Sequence, residues 1–279
     1  MTTTLRTLLR SGLPRPLGRP LPRPQRRSLR LLTAAAKGLA LAVLAWSQHS
    51  AQAAPDVDSL LRDADRFRSA EHQQVDTQVT TLNRDGSIDK ERRYTVFTAP
   101  QHQSLVLMRS PAEAGQKVLM LGDDFWLLLP GSARPLRITP MQKLLGDAST
   151  GDIATLSWAE DYSGSVLGEE RCEGGTPCLH LSLQAKRKSV SYQRIELWLG
   201  ASRHEPLAAE LYVQSDKLAK LARFVVDKPA APTQVTEMVL VDKLSSHKET
   251  RVKYLGRQAK PLDPSWLNPM FLARNPVLP

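Results

Sequence analysis

The hydrophobic pattern of this chain peaks in three short apolar runs, at residues 105–108, 118–121 and 125–129. Each is too short for a helix, and the segments Ser-Pro-Ala-Glu-Ala-Gly-Gln-Lys and Gly-Asp-Asp lie between them, so they predict consecutive antiparallel strands joined by tight connections. A half-buried strand alternates apolar with polar residues, whereas these runs are apolar on both faces and must be covered on both sides. The cover is either plain core on each side, the commoner reason for an apolar run, or core on one side and a ligand cavity on the other.

Around these runs the pattern changes period twice. Val57, Leu60, Leu61, Ala64 and Phe67 recur at helical spacing after Asp56, which predicts an amphipathic helix that docks one stripe on a sheet. From residue 72 the alternation of Val75, Thr77, Val79 and Thr81 predicts a strand, the run 83–87 a turn, and 88–98 its partner, with one face of this hairpin polar. Prolines bracket 134–140, which suits an edge or crossing segment, while 141–145 and 153–158 read as short helical turns between Gly and Ser/Thr punctuation. Further strands are expected at 164–171, 179–186, 192–199, 207–213, 218–226, 235–241 and 248–255. The sum is about eleven strands in a mainly β, antiparallel domain without internal repeat. The tail 264–272 carries Trp266, Leu267, Met270, Phe271 and Leu272, too apolar to be left in water, and should pack back on the sheet.

Charge sharpens the domain boundaries. Lys+Arg number 38 against 28 Asp+Glu, a formal +10 that would suggest an anionic partner such as nucleic acid. Residues 1–53, however, hold nine basic residues and no acid, leaving 29 against 28 beyond them, a net +1 that gives no reason to expect nucleic acid. This leader is Arg/Pro-rich to Arg30, apolar from 31 to 46, and ends in Ala51-Gln52-Ala53, the small-x-small pattern cut by a signal peptidase. We therefore expect 1–53 to be an export signal cleaved near Ala53/Ala54, and 54–279 to be a single exported domain. The apolar segment falls short of the ~20 residues of a membrane span and contains Lys37. Arg26-Arg27 leave both general and twin-arginine export open.

The candidate chemistry is sparse. Cys172 and Cys178 do not have metal-ligand spacing, and after export a disulfide across a hairpin loop is the expectation. The six His residues are scattered, with no i, i+4 pair. No nucleophile elbow, phosphate loop or dinucleotide fingerprint occurs. The acid pairs Asp123-Asp124, Asp147/Asp152 and Glu160-Asp161 sit where turns and caps call for carboxylates. Neither an enzyme nor a cofactor or metal is expected.

The segments 110–130 (SPAEAGQKVLMLGDDFWLLLP), 137–146 (RITPMQKLLG), 192–198 (YQRIELW) and 268–275 (NPMFLARN) resemble the outer-membrane lipoprotein-sorting, or LolA-like, family of bacterial periplasmic proteins, and the likeness spans nearly the whole of 54–279. The resemblance implies a strongly curved antiparallel sheet, a half-open β-barrel around a hydrophobic cavity, with short lid helices that a sheet arginine helps to hold in the family's founding carrier. It implies a periplasmic carrier or binding protein that shields acyl chains of lipids or lipoproteins on their way to the outer membrane. An inner-membrane exporter or outer-membrane acceptor would be the protein partner, and the chain a monomer. The alternative is a non-catalytic signalling or exporter-associated interaction protein on the same fold. Expected to line the cavity or its lid are Val118, Met120, Trp126, Leu128, Ile138, Met141, Leu144 and Trp158, with Arg134 and Arg137 near lipid headgroups. On periodicity alone, Leu119, Leu121, Leu127 and Leu129 are the mirror choice for the strand positions.

Overall fold

A computed structural model describes residues 56–69, 72–145, 147–154, 157–243 and 249–279; the expected export segment and its cleavage site lie outside them. The chain enters as helix α1 (Val57–Arg68), whose N-cap is Asp56: its side chain accepts from the Asp58 N–H at 3.3 Å. Leu60, Leu61 and Ala64 form the buried stripe of α1, as its spacing predicts.

A hairpin follows, β1 (Gln73–Leu82) and β2 (Ile88–Ala99), with its exposed tip at the expected turn. Three strands carry the apolar runs: β3 (Gln103–Met108), β4 (Lys117–Leu121) and β5 (Asp124–Leu128). The proline-bracketed segment supplies β6 (Leu136–Ile138). After a two-stranded ribbon and two short helices come β9 (Tyr162–Arg171), β10 (Pro177–Ala185), β11 (Arg194–Gly200), β12 (Pro206–Tyr212), β13 (Leu218–Val226), β14 (Val235–Asp242) and β15 (Glu249–Ala259). Thirteen strands make one curved antiparallel sheet in the order β6-β5-β4-β3-β2-β1-β15-β14-β13-β12-β11-β10-β9, open at β6 and β9. The count exceeds the expected eleven because a piece as short as β6 carries little alternation to read.

The ribbon corrects one expectation. Residues 141–145 are not a helical turn: β7 (Lys143–Leu145) pairs with β8 (Ala148–Ser149). Five residues between a proline and a glycine cannot repay the nucleation of a helix, whereas the ribbon satisfies its backbone locally, with Thr150 N–H donating to Gln142 O at 2.8 Å and Gly151 N–H to Pro140 O at 2.7 Å. Helical structure falls at α2 (Thr150–Ala154) and α3 (Trp158–Asp161), which take up both ends of the expected 153–158.

The two faces of the sheet are covered differently. Against one lie α1, α2 and α3, whose Leu60, Leu61, Ile153, Ala154 and Trp158 join a core with inward residues of most of the strands. Against the other, over β2–β5 only, lies the tail: a 3₁₀ turn (Pro264–Leu267) and α4 (Pro269–Ala273), packed on Phe97, Leu105, Leu107, Leu119 and Leu128. This double cover is why the runs at 105–129 are apolar on both faces. Lys117, 5 % exposed, fastens the tail by donating from Nζ to Asn275 Oδ1 at 2.6 Å.

Candidate ligand-binding interior

The short helices are held over the sheet by a few polar contacts set in an apolar surround. Asp65 on α1 caps α3 from outside: its carboxylate accepts from the N–H groups of Trp158 (2.9 Å) and Ala159 (3.0 Å) and from Ser157 Oγ (3.1 Å). Ser157 Oγ in turn accepts from the Glu160 N–H at 3.2 Å, so Ser157 and Asp65 share the N-terminal donors of this four-residue helix. Burial pushes the Asp65 carboxyl up, against the Arg68 charge and those donors. The Arg68 guanidinium lies 3.6 Å from the centre of the Trp158 ring, and Trp158 meets Phe224 of β13 edge-on at 5.6 Å.

Helix α2 is tied to the sheet by one buried ion pair. Asp152 receives Lys220 Nζ of β13 at 2.5 Å, the Tyr192 hydroxyl at 2.6 Å, and the Ser149 N–H and Oγ at 2.8 and 2.7 Å. Both charged side chains are 3 % exposed. Burial, then the charge and hydrogen bond of Asp152, hold the Tyr192 hydroxyl far above the ordinary tyrosine range. At the end of α3, Asp161 is gripped by Arg187 and lies 3.6 Å from His102. Its surroundings compete: burial first, then Glu160 and Asp65, push its carboxyl up to about 7, while Lys186 pulls it down.

The space between these helices and the sheet is largely filled by apolar side chains of the described residues. What remains is a void of about 50 Å³ bordered by Arg68, Asp152, Trp158, Tyr192 and Phe224, room for a few waters. A second hollow of about 150 Å³ lies beside α3, among Asp65, Thr98, His102, Met120 and Glu160. Nothing the size of an acyl chain enters either void unless the helices move.

The eight expected cavity residues are divided by the sheet. Val118, Met120 and Trp158 are buried in the helix-side core, and Ile138, Met141 and Leu144 pack against it. Trp126 and Leu128 point the other way, into the tail-side cluster with Leu119. The register decides this: Val118 faces Leu127 and Leu119 faces Trp126, so residues of equal parity on β4 and β5 lie on opposite faces. Arg137 accompanies Trp126, its guanidinium 4.7 Å from the ring and paired with Asp124. Arg134 is exposed in the connection before β6. Lys220, Asp152, Tyr192, Asp65 and Arg68 were absent from the expected set. For Lys220 a signal existed: it stands two and four residues before Ala222 and Phe224, in the inward register of its strand.

Cys172 and Cys178 form the expected disulfide, in the loop between β9 and β10. Among the described residues, no cluster of His, Cys, Asp or Glu is placed to hold a metal, and no helix is long and apolar enough to cross a membrane.

Comparison with known proteins bears on this architecture. A protein-family model described as that of an uncharacterized protein matches residues 100–274. Among solved structures, the LolA superfamily protein of Nitrosomonas europaea aligns with a TM-score of 0.70 at 28% identity, over 77% of this chain and 98% of that one. The chain belongs to the LolA-like family. Two structures of lower identity share the fold. A putative outer membrane lipoprotein-sorting protein domain from Vibrio parahaemolyticus has a TM-score of 0.61 at 17% identity, covering 78% of this chain and 98% of its own. A DUF1329 family protein from Desulfovibrio piger has a TM-score of 0.58 at 21% identity, covering 76% and 95%. No curated protein matches the chain by sequence.

Proposed function

We propose that this LolA-like chain is an exported periplasmic carrier, without turnover, that shields acyl chains of lipids or lipoproteins in the space now filled by α1–α3. The observation that carries this reading is the composition of that space. Its wall and its plug are both hydrocarbon, and the plug is fixed by discrete polar ties at Asp65 and Asp152. Each CH₂ removed from water contributes about 0.8 kcal/mol. An acyl chain that displaces Leu60, Leu61, Ile153 and Trp158 exchanges one apolar filling for another, so loading and release both stay within reach of thermal energy. In the ligand-free state the helices keep the wall dry. Cargo then passes from an inner-membrane donor to an outer-membrane acceptor by exchange rather than by chemistry. The test is uptake of a fluorescent fatty acid by the purified mature protein, with mass spectrometry of its solvent extract. Saturable uptake at one or a few molecules per chain, with lipid in the native extract, is expected; neither uptake nor lipid would overturn the reading.

A further inference from the structure

The face of the sheet that the tail covers over β2–β5 carries no cover from the described residues over β11–β14, and there it is hollowed. A groove of about 790 Å³ runs from the disulfide loop across these strands. Its floor is apolar, made by Ala208, Leu221, Val225, Val239 and Val241 with Trp198 at one side, and Val225 is 39 % exposed. The cross-strand pairs Trp198–Ala208, Leu221–Val241 and Arg223–Val239 put all of these on the face opposite α1–α3. The loop closed by Cys172–Cys178 contributes Glu173 and Gly174 as one wall.

The rim of the groove is acidic. Glu170, Glu173, Glu210 and Glu249 border it, against Arg171 and Arg223. Glu196 and Glu210 stand directly opposite each other on β11 and β12, an arrangement that costs stability unless cations intervene. Arg194 and His180 answer Glu196 at 2.6 and 3.1 Å, but Glu210 accepts only from the Tyr212 hydroxyl at 2.5 Å, and among the described residues no salt bridge reaches it. Of the other rim carboxylates, Glu249 is paired with Arg251 at 2.5 Å, and Glu170 is bonded to His180 at 2.9 Å and to the Trp198 indole N–H at 3.2 Å; Glu173 and Glu210 are the two that no salt bridge among the described residues reaches, beside an apolar floor and an indole.

We infer that this outer groove docks a segment of a partner protein that is apolar on one side and carries Lys or Arg on the other. The tail shows what such a cover is like on this very sheet: a 3₁₀ turn and one helical turn, with Trp266, Leu267, Phe271 and Leu272 pressed on strand side chains. A partner segment of that kind would seat its apolar side chains on Leu221 and Val225 and place a cation at Glu210, within reach of the Trp198 ring. The groove lies across the sheet from the acyl-chain space, so the two occupants do not compete.

Two synthetic 14-residue amphipathic peptides test this, one built of Leu and Lys and the other of Leu and Glu in the same order, titrated into the mature protein and followed by fluorescence anisotropy. The Leu/Lys peptide should bind at least tenfold more tightly, and more weakly as salt is raised. Val225→Glu, and separately Glu173→Lys with Glu210→Lys, should each weaken it about tenfold while Tm and fatty-acid uptake stay unchanged. Equal binding of both peptides overturns the inference, as does binding indifferent to these variants. Concentration-dependent dimerisation abolished by Val225→Glu would overturn it in favour of a second copy, and loss of fatty-acid binding in the same variants would overturn it in favour of a lipid. Failure of fatty-acid uptake in every form of the protein would count against the carrier reading alone.

Discussion

One sheet carries two covers, and they are built on different principles. Over the tail-side face, Leu262, Trp266, Leu267, Phe271 and Leu272 press into Phe97, Leu105, Leu107, Leu119 and Leu128, with Lys117–Asn275 as a polar tie at the margin. Over the helix-side face, α1–α3 also bury apolar side chains, yet the ties run through the middle: Asp65 caps α3, and Lys220 meets Asp152 in the interior. A dry apolar cover leaves only by exposing its whole area to water. A cover of three short helices, two of them of five and four residues, has little helical stability of its own, and its polar ties can be exchanged for water or a headgroup. On the carrier reading proposed above, the first cover belongs to the permanent core and the second is the one that a ligand replaces.

The largest effect should come from placing one charge on each face in turn. Leu105→Glu sets a carboxylate in the tail-side cluster, where Leu105 is fully buried between Phe97 and Leu119, and should cost several kcal/mol and melt the fold. Met120→Glu, on the helix side and bordering the hollow beside α3, should leave the sheet folded and abolish fatty-acid uptake. Circular dichroism and uptake on the same samples decide; two melted proteins, or two folded ones, would erase the distinction between the covers.

Next in size is the buried ion pair. Lys220→Met leaves Asp152 buried without its cation, a loss of about 3–5 kcal/mol for a pair of this kind. Lys220→Met with Asp152→Leu should recover most of it, because replacing both charges by apolar groups removes the desolvation penalty along with the attraction. Urea titration of the three proteins measures this, and a double variant no more stable than the single one would show that the pair is not the tie described.

A smaller effect is expected at the cap. Asp65→Ala removes the acceptor for Trp158, Ala159 and Ser157, and should cost about 0.5–2 kcal/mol while accelerating fatty-acid uptake in stopped flow. Unchanged rates would mean that α3 does not gate the interior. The smallest effect on binding is expected at the disulfide: Cys172→Ser with Cys178→Ser opens a short loop, and its stability cost should fall at the low end of the ~2–4 kcal/mol range. It should leave fatty-acid uptake intact, since the loop borders the outer groove.

Much of this contrast is written in the sequence, though not its orientation. The unbroken runs at 105–129 announce a double cover, the stripe on α1 announces one half of it, and the apolar tail announces the other. Which residues share a face was also within reach: Gly122-Asp123 is a two-residue connection, with Gly122 at φ +61, and it forces Val118 opposite Leu127 and Leu119 opposite Trp126. Grouping Val118 and Met120 with Trp126 and Leu128 overlooks that parity. The 141–145 ribbon escapes because its bonds to Pro140 and Gln142 come from Thr150 and Gly151, beyond the reach of local periodicity. The Lys220–Asp152 pair escapes for a deeper reason. Its partners are 68 residues apart, and a charge in an inward register reads like a surface charge until the fold supplies its mate.

The claim that the helices, and not the tail, make way for a ligand is tested most directly by hydrogen–deuterium exchange with and without saturating palmitate. The account predicts faster exchange on binding across 57–68 and 150–161, with 262–278 unchanged. Faster exchange in the tail with the helices unmoved, or binding that leaves both covers equally protected, would contradict it.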